Sequence, residues 1–536
     1  MPVHRLRRTT TLYPASIREA GATVMSKKKS AKKRRTSGKK KEDQKVKGRR
    51  TEAVAPLKGV SDIRRFFYRN EIPIYFISAT NFNLLGADEW IKGFRFITYI
   101  DCFDGLHPNS FTPMEELPHK EFESIEDINN YLLEHKEVHD FIESRTQGKK
   151  AGKAMFLMFD EHTEKLARKQ GLQVIFPPAR LRTFMDNKIN TNRVAEKAGV
   201  PPVPYVLSRV KNHDHLLKVA RKLGDDLVVQ TPFGDSGHTT FFVANKQDYS
   251  KYAAEIEAEK ECKIMKRINC RGAAMEACVT RHGTIVAPLM TELVGFKELT
   301  PYKGGWCGNE IYADAFTPEI RRKARRYAQR FGDQLRKEGY SGYFELDFLI
   351  DTDSGEIYLG ELNPRITGAS SITNHAVFAL ADAPLHLFHI LEWMDQPYEL
   401  NVKALNRRWA RAENIDEWGQ MVIKFTDDRV ERVTAAPRTG IWRMGAQGRV
   451  SYDRMDSHRR AVENENEAFF LRITRVGDWL YEGADMGILV MRGRMMTSDF
   501  KLTDRALGWI SAIKGQYQSE VPGAAGSVEI GGFKMM

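Results

Sequence analysis

Apolar and polar positions alternate most regularly between Gly342 and Ser371, where GYFELDFLIDTDSGEIYLGELNPRITGASS predicts two strands joined by a turn over residues 351–355. Phe344, Leu346, Phe348 and Ile350 fall on one face of the first strand, and Glu345 and Asp347 on the other. Strict alternation places Ile357, Leu359, Glu361 and Asn363 together on the return strand. Pairing Asp347 with Glu361 and Glu345 with Asn363 gathers four polar groups and leaves a three-residue loop, residues 353–355. Carboxylates that face each other across strands repel. A divalent cation removes that repulsion, and oxygen donors from Asp, Glu and Asn suit Mg²⁺ or Mn²⁺. Arg365 follows on the same stretch, adding a guanidinium suited to phosphate. The plain alternative is an acidic hairpin open to water. The apolar interleaving weighs against it, because burying unpaired charge is costly.

Elsewhere the pattern switches between the two periods. Residues 72–78 (IPIYFIS), 94–100 (FRFITYI), a run starting at Ala154 (AMFLMF) and 173–176 (QVIF) read as strands, with a helix over 160–170. This β-α-β spacing predicts a parallel sheet. No G-x-G-x-x-G follows any of these strands, so a dinucleotide site is not supported. Asp186 is placed to cap a helix carrying Ile189, Val194 and Ala198, which Gly199 ends before Val200-Pro201-Pro202. The strand 227–230 (LVVQ) runs into TPFGDSGHTT and a second strand from Phe241, a flap able to offer backbone N–H groups to phosphate. Further along come a strand at 262–268 (CKIMKRI), Glu276 within MEACV, and a glycine-paired loop over 298–309 with Lys303 and Trp306. Thr317-Pro318 opens a helix with a stripe of Ile320, Ala324, Tyr327, Phe331 and Leu335. A helical stretch over 375–394 precedes a last region with strands at 421–425, 469–473 and 487–491 and a helix near 504–514.

Length and charge then divide the chain. A chain of 536 residues exceeds one core and predicts three or four domains. The net charge of +13 belongs to the N-terminus: residues 1–50 hold 18 Lys/Arg against three acids, and the remainder 65 against 67. Such a tail cannot form a core and is expected to be disordered. It could hold nucleic acid or an anionic surface nonspecifically, or serve only solubility. Met25 is a candidate second start. The expected segments are a basic tail (1–58), an N-terminal α/β domain (59–180), a central domain (181–400, with a lid at about 205–262), a small C-terminal domain (401–520) and a tail (521–536). Five cysteines, with no C-x-x-C pair and no histidine at ligand spacing, read as thiols rather than zinc ligands. No apolar run reaches transmembrane length, and the expected setting is cytoplasmic.

With E-x-D, a turn and E-x-N-P-R in one hairpin, and D-x-K opening a helix that ends in AGVPPVP, the sequence resembles the ATP-grasp superfamily from about Asp186 to Ser371. The resemblance implies an α/β and α+β architecture: an ATP-grasp fold with an N-terminal parallel domain on the substrate side and a small closing C-terminal domain. It implies Mg-ATP and activation of a small-molecule carboxylate as an acyl phosphate, followed by attack of an amine or similar nucleophile. Asp347, Glu361 and Asn363, together with Glu345, would hold the metal, and Arg365 would stabilise developing charge. Lys188 would reach the phosphates. Gly234, Ser236, Gly237 and His238 would belong to the lid, and Met265, Lys266, Arg267 and Ile268 to the adenine hinge. One departure stands out: the strand before the lid usually ends in lysine, and here Gln230 stands there. No acid for ribose is evident.

Biotin carboxylase is the nearest named family, through TPEIRRKA and E-x-N-x-R. Its lid is a run of glycines, and its base is a glutamate six residues beyond the metal asparagine. Here those places hold PFGDSGHTT and Ala369, and no A-M-K-M biotinylation segment is present. A carboxylate-amine ligase is therefore the expected activity, with biotin carboxylase-type carboxylation as one alternative and a non-catalytic ATP-binding protein with a nucleic-acid-binding tail as the other. The resemblance also allows a homodimer.

Overall fold

The computed structural model describes residues 54–114, 122–146, 152–234, 239–374 and 376–521. The chain is already paired before Gly59, where Leu57–Lys58 lies parallel to Tyr398–Glu399.

Four parallel pairings build the first sheet from β1 (Ile74–Ser78), β2 (Phe94–Thr98), β3 (Ser110–Phe111), β4 (Lys153–Phe156) and β5 (Gln173–Val174), in the order β3-β2-β1-β4-β5. The central strand β1 is buried along its whole length, as expected of a parallel strand covered on both faces. Helix α1 (Glu161–Lys169) starts in a capping box, with Asp160 and Thr163 each satisfying the other's backbone N–H. Two helices, α2 (Ala179–Asp186) and α3 (Lys188–Ala198), follow with a break between them. The cap of α3 is Asn187, whose side chain accepts from the N–H groups of Ile189 and Asn190, and Asp186 ends the preceding helix instead of capping. Gly199 closes α3 in the left-handed conformation.

A separate antiparallel sheet of four strands comprises β6 (Tyr205–Ser208), β7 (Leu227–Gln230), β8 (Thr240–Val243) and β9 (Cys262–Lys266), in the order β6-β9-β7-β8. It has its own core, including Leu227, Val229, Phe241, Ile256 and Ile264.

Glu431–Ala435, Trp479–Leu480 and Gln518–Glu520 make a small three-stranded sheet, and most of the remaining strands form one large sheet. Its strands are β10 (Cys270–Thr280), β11 (Gly283–Val286), β12 (Met290–Val294), β13 (Trp306–Ile311), β14 (Gly342–Asp351), β15 (Ile357–Asn363), β16 (Trp418–Lys424), β17 (Gly440–Met444), β18 (Val450–Arg454), β19 (Glu467–Arg472) and β20 (Asp485–Arg492). The order is β15-β14-β10-β12-β13-β16-β20-β19-β17-β18, with β11 paired to β10. Trp306 and Asn309, expected in a loop, belong to β13, so the loop before it is shorter than the glycine pattern suggests. Because β13 pairs with β16, β16 to β20 continue the central sheet. Helix α4 (Pro318–Lys337), capped by Thr317, lays Ala324, Phe331 and Leu335 on this sheet, with the Phe331 ring 6.5 Å from that of Phe344. The expected helical stretch after residue 375 is divided, one helix starting after Pro384. Helix α5 (Asp504–Lys514) lays Ala506, Trp509, Ile510 and Ile513 into the C-terminal core.

Candidate active site

The acidic hairpin is β14 and β15. Glu345 stands opposite Asn363 and Asp347 opposite Glu361. Beyond Asp347 the register shifts, Phe348 pairing with Leu359, so Gly360 is an extra residue in β15. This bulge reverses the alternation. Leu359 and Ile357 pass into the core with Phe348, and Glu361 and Asn363 turn to the face carrying Glu345 and Asp347. A strict period of two places all four β15 residues together, which the structure corrects. The loop also has four residues, 352–355, because the Asp351 N–H bonds to the Glu356 carbonyl.

The Asn363 amide donates to Asp347 Oδ2 at 2.9 Å and lies 3.5 Å from Glu345 Oε2. Burial, reinforced by Glu345, Glu292 and Glu361, pushes the Asp347 carboxyl well above its usual range. Burial and the charge of Glu276 do the same to Glu345. Nothing in the sequence singles out Glu292, which comes from β12, two strands from β14. Gly272 lies beneath it, where a Cβ would come within 2.3 Å of Glu292 Oε2. Burial and the charge of Glu361 raise Glu292 to about 7. Such a crowd of carboxyls with an amide among them is a hard-donor set short of positive charge, which fits a divalent cation.

Positive groups surround this face. Lys188, at the start of α3, extends its Nζ to Glu361 Oε1 at 2.9 Å and to the Gly234 carbonyl at 2.8 Å. Arg365 is buried, its Nε has no partner, and Nη1 makes only a 3.5 Å contact to the Ile366 carbonyl. The segment behind it is held by Glu276, which accepts from Thr367 Oγ1 at 3.1 Å, Ser370 Oγ at 2.5 Å and Tyr343 Oη at 2.5 Å. Burial raises the Glu276 carboxyl as well. Glu276 thus positions the loop that carries the arginine.

All four acidic-face residues and Arg365 line one cavity of about 350 Å³. Lys188, Gln230 and Gly234 line it from the α3 and β7 side, Met265 and Lys266 from the end of β9, and Arg267 and Ile268 from the connection between β9 and β10. Ser236, Gly237 and His238 lie outside the described residues. Gln230 Nε2 donates to Thr240 Oγ1 at 3.1 Å, and its Oε1 has no partner. Trp306 and Gly368 form the far wall, packed so closely that a Cβ on Gly368 would meet the indole at 2.4 Å. Beyond this wall is a smaller cavity of about 30 Å³, lined by Ser78 and Asn83 at the end of β1 and by Leu157 and Ile488.

No protein-family model matches the chain. Over 228 residues it is 25 % identical to the mitochondrial methylcrotonoyl-CoA carboxylase subunit alpha of Arabidopsis thaliana, covering 41 % of this chain and 30 % of that protein. It is 24 % identical over 194 residues to a D-alanine–D-alanine ligase of Carboxydothermus hydrogenoformans, covering 34 % of this chain and 61 % of the ligase. The chain therefore spans less than two thirds of either relative. The solved biotin carboxylase–β-γ-ATP complex from Campylobacter jejuni superposes with a TM-score of 0.55 at 14 % identity, over 84 % of this chain and 92 % of that one. The fold is the ATP-grasp fold that the sequence predicts, in an arrangement similar to that of the solved biotin carboxylases.

Proposed function

We propose that this protein is an ATP-dependent ligase that activates a small-molecule carboxylate with Mg-ATP as an acyl phosphate and passes it to an amine or similar nucleophile, releasing ADP. One observation carries the reading: the Asp347–Glu361 and Glu345–Asn363 pairs, Lys188 and Arg365 all face one cavity of about 350 Å³. Similarity to a D-alanine–D-alanine ligase and to a carboxylase subunit supports ligase or carboxylase chemistry.

Asp347, Glu361 and Asn363 would hold Mg²⁺ or Mn²⁺, with Glu345 beside them, and the metal would offset the negative charge of the nucleotide phosphates. Metal binding would draw Glu361 from Lys188, freeing that ammonium for phosphate. Arg365 has uncommitted donors and would stabilise charge developing on the transferred group. Met265, Lys266, Arg267 and Ile268 would receive the adenine through backbone groups, and the lid would close over the phosphates. The small cavity behind Trp306 lies at the end of β1, where the carboxylate or amine substrate would enter. Five unpaired thiols and the demand for ATP support a cytoplasmic setting. No helix among the described residues is long and apolar enough to cross a membrane.

Biotin carboxylase-type carboxylation is the second reading, favoured by the superposition. Against it, the cavity wall offers the methyl of Ala369 where that chemistry needs a base. The test is ADP release screened over amino acids and small carboxylates with product masses, beside bicarbonate with free biotin. A carboxylate and amine pair should give ADP and a condensed product. Biotin-dependent ADP release without such a pair would overturn the ligase reading.

A further inference from the structure

The position where the lysine is missing has a lysine beside it. Gln230, the last residue of β7, is paired directly with Lys263 of β9. Directly opposed residues share a face, with Cβ atoms about 4.5–5.5 Å apart. That face is the cavity side, for Gln230 and the next pair along it, Val228 and Met265, line the cavity, and Lys263 lies buried directly behind this lining. We propose that Lys263 supplies the positive charge for the nucleotide phosphates that the end of β7 lacks, the two positions having exchanged their side chains across the strands. The proposal rests on the reading of this cavity as an ATP site.

Three observations support the exchange. First, Lys263 is 1 % exposed, and an ammonium is not kept in such a place without a counter-charge. The charges that act on it are Glu361, which attracts it, and Lys188, which repels it, the same two groups that meet at the cavity wall. Secondly, Lys188 is shared between Glu361 and the Gly234 carbonyl, and even when a metal draws Glu361 away it is one cation beside a nucleotide that carries several negative charges, so the site has use for another. Thirdly, Gln230 is turned to Thr240, with Oε1 left unpartnered. A lysine there would face Lys263, and like charges directly opposite are destabilising. A glutamine at residue 230 is what a lysine at residue 263 permits. Burial, opposed by Glu361 and assisted by Lys188, brings Lys263 down to about 8, which leaves it largely protonated at neutral pH.

The experiment measures binding by titration calorimetry of a non-hydrolysable Mg-ATP analogue and, separately, of adenosine, which has no phosphates. Lys263→Gln should weaken the analogue by about ten- to a hundredfold, as expected for a charge-assisted contact, and leave adenosine unchanged. Gln230→Lys alone should not tighten the analogue. The double exchange, Gln230→Lys with Lys263→Gln, should restore the wild-type preference for the analogue over adenosine. Unchanged analogue binding in Lys263→Gln, or parallel weakening of both ligands, would show that Lys263 is only a structural counter-ion to Glu361 and overturn the proposal. If Lys263→Gln does not fold, the double exchange decides alone: preference kept supports the exchange, and preference lost overturns it. Wild-type protein that binds neither ligand would instead refute the ATP site itself, and the exchange with it.

Discussion

Glu292 offers the most direct measure of the strain in the acidic face. Its carboxyl is raised from an ordinary 4.5 to about 7, chiefly by burial and then by Glu361. A raised acid keeps its proton in the folded chain at pH values where the unfolded chain has lost it, so stability falls as pH rises from about 4.5 and levels off above about 7. Each pKa unit corresponds to about 1.4 kcal/mol. At pH 8 the penalty is therefore about 3 kcal/mol, and at pH 5 about 1 kcal/mol. The upper figure is a ceiling, since the residue is only half-buried and solvent weakens the effect. Glu292→Gln removes the charge while keeping the shape. In EDTA, the variant should resist denaturant better than wild type at pH 8, by up to about 3 kcal/mol, and by at most about 1 kcal/mol at pH 5. Mg²⁺ should protect the wild type more at pH 8 than at pH 5, because more carboxylate is then ionised, and this pH dependence should be flatter in the variant. A variant no more stable than wild type at pH 8, with the same slope against pH, would refute the account of a charge-crowded face.

Glu361→Gln and Asn363→Ala should each abolish ADP production while leaving the melting profile near that of wild type; unchanged turnover in either would remove the metal assignment. Gly368→Ala should cost about 1–3 kcal/mol, because the new methyl meets the Trp306 indole and the wall between the two cavities must shift, and it should raise KM for the acceptor substrate more than for ATP. Deleting residues 1–50 should leave ligase activity intact and end any retention on nucleic acid at physiological salt, since the basic excess lies there; a truncated protein that still binds RNA would contradict the charge argument.

What the sequence showed of this site was local. The Glu345–Asn363 and Asp347–Glu361 pairs followed from alternation and a turn, and Thr317-Pro318 marked its helix start. Alternation failed where Gly360 inserts a bulge, since a glycine in a strand suggests a bulge without fixing which face the next residue takes. Glu292 and Lys263 were missed for another reason. Both lie in short apolar strands, and each matters through a residue on a neighbouring strand: Gly272 beneath Glu292, and Gln230 across from Lys263. The lysine missing from residue 230 was legible, but its replacement required the register of β7 on β9. Similarly, nothing within residues 306–311 or 418–424 announces that they pair, so the union of the C-terminal strands with the central sheet appears only in three dimensions.

That union limits how the protein can be taken apart. A chain ending at residue 400, the natural cut between the central and C-terminal regions by sequence, would strip β16 from β13 and leave Gly308, Asn309, Glu310 and Ile311 as a bare sheet edge. Those positions are buried in the intact protein, and an edge of unpaired backbone N–H and C=O groups recruits other chains. Glu310 would suffer most, because it accepts from the backbone N–H groups of Met495 and Met496, far beyond the cut. Residues up to 400 should therefore aggregate when produced alone, and the C-terminal strands act as a built-in cap against that fate.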